Sequence, residues 1–199
     1  MMKILHLEDS PVDAALILDF LEEGEVQCAM THALNRSDFE TAVDSEKFDI
    51  ILCDNHLPGY SGFAALDYAK KRQPQTPVII ISGTLDEIQA VQYVKRGAID
   101  YVFKDRMVRL VPAIWQAMQE TEKMREQVDF VKNMVADLND ALSPALSSAK
   151  FLETGSPDAA GRAKHVTLIL SNIQKAAGMA QQILTRTRGE FQGAPVLGS

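Results

Sequence analysis

Five short runs in the first half of this chain restrict its fold more than any other feature. They are Lys3-Ile4-Leu5-His6-Leu7, Val26 to His32, Ile50-Ile51-Leu52-Cys53, Val78-Ile79-Ile80-Ile81 and Tyr101-Val102-Phe103. Apart from Val26 to His32, each is a compact apolar run bounded by turn or helix-start signals, the pattern of a strand buried on both faces of a parallel sheet. Helical stretches separate them. Ser10-Pro11 supplies an N-cap and a proline at the first helical position, with Asp13 at the third, ahead of Ala14 to Leu21. Ser37 to Lys47 and Phe63 to Arg72 read as the next two helices, and Asn55 to Gly62 as a Pro- and Gly-containing loop. Thr84-Leu85-Asp86-Glu87 is a capping box opening a fourth helix that ends near Arg96-Gly97. Strands alternating with helices imply an α/β fold, a doubly wound five-stranded parallel sheet with right-handed crossovers.

The residues just beyond these runs are polar. Glu8 and Asp9 follow the first run, Asp54 the third, Ser82 the fourth and Lys104 the fifth. Functional groups in such sheets gather beyond the carboxyl ends of the strands. Separate segments therefore deliver three carboxylates, one hydroxyl and one ammonium to one place. Three crowded carboxylates repel one another and require a cation among them. A hard divalent ion with oxygen ligands, most simply Mg²⁺, fits. A carboxylate oxygen can attack phosphorus to form an acyl phosphate. The transferred group then needs its charge neutralised by metal and ammonium, and Lys104 offers a compact point charge on a long stem. The set describes a phosphoryl-accepting pocket.

Composition removes other classes. At 46% hydrophobic residues the chain can bury a core. A formal charge of -7 argues against nucleic acid as a partner. No apolar run approaches the roughly 20 residues of a membrane span, and none opens the chain as a secretory signal. No membrane partner and a cytoplasmic location are therefore expected. Cys28 and Cys53 fall in predicted strands and read as buried thiols, which suits a reducing compartment. His6, His32, His56 and His165 are too scattered for a metal–thiolate site.

After Lys104 the texture changes. No glycine occurs from Ala98 to Thr154, and Met107 to Leu152 reads as a nearly continuous helix, with Pro112 tolerated in its first turns and Pro144 expected to kink it locally. Apolar residues recur at Ile114, Met118, Val128, Val131, Val135, Leu138, Leu142 and Leu146. Gly155-Ser156-Pro157-Asp158 breaks the pattern. A second helix carries Val166, Ile169, Leu170, Ile173, Ala177, Ala180, Ile183 and Leu184 as its stripe. Two helices cannot bury both stripes alone, so the hairpin is expected to pair with a second copy as a four-helix bundle.

Residues 1–118 resemble the receiver domain of two-component response regulators. The likeness rests on Glu8-Asp9, Asp54, Leu57-Pro58-Gly59, Ser82-Gly83, Gly97-Ala98-Ile99-Asp100-Tyr101 and Lys104. It implies a flavodoxin-like fold with Asp54 as phosphoacceptor and Lys104 as its ammonium partner. It implies Mg²⁺ held by the Asp9 and Asp54 carboxylates, by Glu8 through water and by the backbone carbonyl of His56. Ser82 would be the switch hydroxyl and Tyr101 the switch aromatic. The chain departs from the family in two places: Asp105 follows Lys104 where proline is usual, and the switch position carries Ser82 rather than threonine.

The second half resembles the dimerisation hairpin of histidine kinases. Met134 to Leu142 is similar to the phosphoacceptor-histidine box, with Ala136 at the histidine position, or Asn139 in a rival register anchored on Pro144. Neither register holds a histidine. The expected organisation is a receiver domain over 1–118, a helical hairpin for dimerisation and output over 119–190, and a flexible tail over 191–199. The expected function is that of a non-enzymatic response regulator. An upstream histidine kinase would phosphorylate it on Asp54, and it would act on an unknown downstream protein through a dimeric hairpin. Two alternatives stand beside it. One is a phosphotransferase or phosphatase using His165 or Asp137; the other is a constitutive dimeric scaffold whose receiver site is vestigial.

Overall fold

The computed structural model describes the backbone of residues 1–83, 87–155 and 158–191, and their side chains except those of Glu87 and residues 183–191. The capping box at Thr84-Leu85-Asp86, the Ser156-Pro157 break, the stripe positions Ile183 and Leu184, and the tail from 192 lie outside the described residues or side chains. Two compact units are present, Met1–Arg125 and the chain from Glu126 onward.

The first unit is a five-stranded parallel sheet. Its strands are β1 (Met2–Leu7), β2 (Cys28–Ala33), β3 (Ile50–Asp54), β6 (Val78–Ser82) and β7 (Asp100–Phe103), in spatial order β2-β1-β3-β6-β7. The order reverses between β1 and β3, so the crevice beyond their carboxyl ends is the ligand position of a doubly wound sheet. The intervening helices are α1 (Pro11–Glu23), α2 (Arg36–Ser45), α3 (Gly62–Arg72) and α4 (Glu87–Lys95). Ser10 caps α1 as expected, its Oγ accepting the Asp13 N–H at 3.3 Å, and Asn35 caps α2 through the Asp38 N–H. The segment read as a loop after Asp54 contains a small antiparallel hairpin, β4 (His56–Leu57) with β5 (Tyr60–Ser61). Gly59 turns it at φ +74°, a region that favours glycine.

Continuous apolar strands hide a period of two. Ile51, Cys53, Val78 and Ile80 point into one core with Phe39 and Val43 of α2, Ala65 and Leu66 of α3 and Tyr93 of α4. Ile4, Ile50, Leu52, Ile79, Ile81 and Val102 point into the other, against Ile17 and Leu21 of α1 and Leu110 and Ile114 of the last receiver helix. Alternating β-residues thus bury both sheet faces, each fully buried aliphatic side chain contributing about 1.5–3 kcal/mol of transfer energy.

A 3₁₀ segment, Lys104–Arg109, follows β7 and contains the non-helical Arg106. The long helix α5 then runs Leu110–Glu153 without interruption through Pro144. Its apolar stripe has two fates. In the first unit Ile114 is buried and Met118 packs on the core. In the second unit Val128, Val131, Val135, Leu142 and Leu146 remain exposed, as do Val166, Leu170 and Ile173 of α6 (Ala159–Phe191). The buried positions of this unit are small: Ala141, Ala145, Ser148 and Ala176. Leu142, Leu146, Ile169 and Ile173 line an apolar groove of about 480 Å³ between α5 and α6.

Candidate phosphoryl-acceptor site

The residues singled out in the sequence converge at the carboxyl edge of the sheet. Glu8, Asp9 and Asp54 each offer a carboxylate oxygen, and these oxygens lie within 4.8 Å of one another. Glu8 and Asp54 are buried, whereas Asp9 is exposed. Short local contacts fix the two buried acids. The Glu8 Oε1 accepts the Ser10 N–H at 3.1 Å, inside the turn that starts α1. The Asp54 Oδ2 accepts the His56 N–H at 3.0 Å, a contact set by the tight turn into β4. His56 thus lies beside the site by its backbone, while its ring is turned to the Asn55 side chain, Nδ1 to Nδ2 at 2.9 Å.

Lys104 is the cation of the cluster. Its Nζ lies 2.8 Å from Glu8 Oε2, 3.2 Å from Asp54 Oδ1 and 2.5 Å from Asp13 Oδ2. Burial alone would lower this ammonium, but hydrogen bonds to Asp13 and Glu8 and the charge of Asp54 outweigh it and hold its pKa above the ordinary lysine range. Burial raises the Glu8 carboxyl, against the opposing pull of Lys104 and the Ser10 N–H. Three carboxylates contact one ammonium and Asp9 adds a fourth to the cluster, so the pocket carries excess negative charge.

Ser82 and Tyr101 lie on the other side of the sheet edge. Ser82 is fully buried at the end of β6, in register with Phe103. Tyr101 is half-buried, packs against the core shared with α3 and α4, and meets the Phe103 ring edge-on at 5.4 Å. Asp105 occupies the 3₁₀ segment after Lys104, and no peptide bond among the described residues is cis. The hairpin candidates sit elsewhere. Asp137 is exposed on α5, and His165 on α6 packs its ring against Phe151 at 4.6 Å with Nδ1 buried.

Sequence reasoning missed three residues. Asp13 was read as a helix-start acid, yet it contacts Lys104. The signal available was its place in the first turn of α1, which begins at the same edge as the site. Tyr93 and Asn55 form a buried hydrogen bond from the Tyr93 hydroxyl to Asn55 Oδ1, next to Asp54, and the Phe63 ring stacks on Tyr93 at 3.9 Å. A Cβ at Gly62 would lie 2.6 Å from that hydroxyl, so glycine here makes room for it. An asparagine and a tyrosine 38 residues apart carried no joint signal.

Comparison with known proteins matches this geometry. The family model of the response regulator receiver domain fits residues 4–114. The chain belongs to the response regulator receiver domain family. Among relatives, the probable C4-dicarboxylate response regulator DctR of Bacillus subtilis is 24% identical over 90% of this chain and 81% of its own length. The DNA-binding transcriptional regulator NtrC of Proteus hauseri is 27% identical over 69% of this chain, but only 28% of the relative is covered. A response regulator from Burkholderia pseudomallei, solved with a phosphorylated aspartic acid, a calcium ion and citrate, superposes with a TM-score of 0.53 at 24% identity, over 72% of this chain and 85% of that one. Among the described residues no helix is long and apolar enough to cross a membrane.

Proposed function

We propose that this receiver accepts a phosphoryl group on Asp54 from a histidine kinase and that its second unit carries the output. The observation that carries the reading is the convergence of Glu8, Asp9, Asp54 and Lys104 on one crevice at the topological switch point. Three clustered carboxylate oxygens with excess negative charge suit a hard divalent cation. Glu8, Asp9, Asp54 and the His56 carbonyl would hold Mg²⁺, which when bound neutralises charge on the phosphoryl oxygens. The Burkholderia structure, with its phosphorylated aspartate and calcium ion, supports the same reading by likeness of fold.

The chain's own residues do the rest. An oxygen of Asp54 forms the new P–O bond while the donor's leaving atom departs with the electrons of the bond that breaks. Lys104 neutralises charge that develops on the phosphoryl oxygens. Its ammonium turns from the carboxylates to the new group. Ser82 donates to a phosphoryl oxygen, its loop moves inward and Tyr101 turns into the vacated space, a local electrostatic event with a distant surface as readout. The receiver performs no chemistry on another substrate.

Output runs through protein contact. The net charge of -7 favours protein over nucleic acid as the partner, and the exposed apolar stripes of α5 and α6 support a dimeric hairpin, a degenerate form of a kinase dimerisation module without its histidine. A cytoplasmic location goes with this reading. The test of the receiver chemistry is labelling by acetyl phosphate with Mg²⁺, followed by intact-mass measurement. One phosphoryl group per chain is expected, absent with chelator and absent in Asp54→Asn. A wild type that stays unlabelled, or labelling that survives Asp54→Asn, overturns the proposal.

A further inference from the structure

Lys104 has an unequal hold on its three partners. The shortest contact, 2.5 Å, goes not to an acid of the phosphoryl pocket but to Asp13 on α1; Asp54 is the most distant at 3.2 Å. An ammonium has three N–H donors, and here three carboxylates face them. Asp13 and Glu8 both accept hydrogen bonds from it. Strand parity explains why Asp13 is within reach. Ile4, Ile50, Leu52 and Val102 face the α1 side of the sheet, and the same alternation continues to Asp54 at the end of β3 and to Glu8 and Lys104 just past β1 and β7. The α1 cap holds Asp13 at that edge, through the Ser10 Oγ bonded to its N–H. The carboxylate itself is about a third exposed.

We infer that Asp13 is a positioning residue that draws the Lys104 ammonium toward α1 and must give it up when Asp54 gains a phosphoryl group. The inference rests on the proposed receiver chemistry and deepens it. The arriving phosphoryl group needs the donor that Asp13 holds, and the negative charge it brings is met only when the ammonium leaves Asp13. Asp13 therefore slows phosphoryl gain and limits how much of the chain is modified at a given donor concentration. Glu8 and Asp54 are the other two partners, so the charge of Asp13 is the part of the balance that lies outside the acceptor and metal-binding set.

The experiment is the initial rate of acetyl phosphate labelling with saturating Mg²⁺ in wild type, Asp13→Asn, Asp13→Glu, Lys104→Ala and the double variant Asp13→Asn with Lys104→Ala. Asp13→Asn keeps the shape and removes the charge, and is expected to label about two- to fivefold faster, the size of a partly exposed charge interaction. Asp13→Glu restores the charge and is expected to return the rate toward wild type. With Lys104 removed, Asp13→Asn is expected to lose most of its effect, because the residue acts through that ammonium. A merely structural role for Asp13 would show no such dependence on Lys104. An unchanged or slower rate in Asp13→Asn, or an equal acceleration with and without Lys104, overturns the inference while leaving Asp54 as the acceptor. A wild type that does not label overturns the receiver reading itself.

Discussion

Acid should destabilise the receiver unit through a buried histidine, His6. This imidazole lies on β1 with no exposed surface, and neither ring nitrogen has a hydrogen-bond partner among the described residues. Its one notable neighbour is His32 on β2, stacked at a centroid distance of 5.5 Å. Burial, then the nearby His32 and Lys104 charges, push its pKa down from 6.5 to about 3. The unfolded chain therefore binds a proton below pH 6.5 that the folded chain refuses until about pH 3. Stability contributed by keeping this ring neutral is fully present above pH 6.5 and is lost progressively as pH falls toward 3. At 1.36 kcal/mol per unit, acidification from about pH 7.5 to about pH 5 should remove about 2 kcal/mol through His6 alone. The assay is urea unfolding at both pH values, followed by the fluorescence of Trp115, the single tryptophan of the chain, which lies in the receiver unit. His6→Leu serves as the reference, because every other titrating group is common to the two proteins. Wild type should lose about 2 kcal/mol more than His6→Leu over that range. Parallel losses would show that the ring finds solvent or a partner when charged, and the reasoning would fail.

Tyr93→Phe keeps the stacked ring and deletes the hydroxyl that holds Asn55 beside Asp54; it should lower unfolding free energy by about 1–3 kcal/mol in urea titrations, since a buried carboxamide oxygen is left unpaired. Equal stability would mean that water replaces the hydroxyl. Leu146→Glu together with Ile173→Glu places charge in the α5–α6 groove and should convert a sedimenting dimer into a folded monomer. A wild-type chain that sediments as a monomer at all concentrations would remove the dimeric hairpin.

How much of this could be read from residues alone follows from what kind of pattern each feature leaves. The receiver sheet was legible because its strands are buried on both faces, so Ile50-Ile51-Leu52-Cys53 and Val78-Ile79-Ile80-Ile81 stand out as unbroken apolar runs. Element edges were less so. The second strand begins at Cys28 rather than Val26, and helix α2 at Arg36 rather than Ser37, its N-cap being Asn35. The hairpin β4–β5 was read as loop because two-residue strands leave no alternation to detect.

The candidate site divides along the same line. Glu8, Asp9, Asp54, Ser82 and Lys104 each interrupt the apolar pattern at a strand end, where a polar residue is conspicuous. Asp13, Tyr93 and His6 do not. Asp13 sits where an acid is favoured by the helix dipole anyway, so its ordinary explanation masks its contact with Lys104. Tyr93 occupies a core position of α4 that any large apolar residue would suit, and only its hydroxyl betrays another task. His6 is a polar ring inside an otherwise apolar strand, but its meaning depends on the absence of a partner, which a linear sequence does not encode. Residues that break a local rule announce themselves, whereas those that satisfy one while also serving the site are found only in three dimensions. Strand parity is the exception that joins the two. It assigns Glu8, Asp54 and Lys104 to the α1 side and Ser82 and Tyr101 to the α3–α4 side, so the acid–ammonium cluster and the residues of the proposed switch are separated by the pleat before any side chain is placed. In the proposed function the two groups meet at the phosphoryl group on Asp54, so a change on the α1 side, such as loss of the Asp13 charge, should alter how readily Asp54 is modified. A change on the α3–α4 side should alter what the modification does.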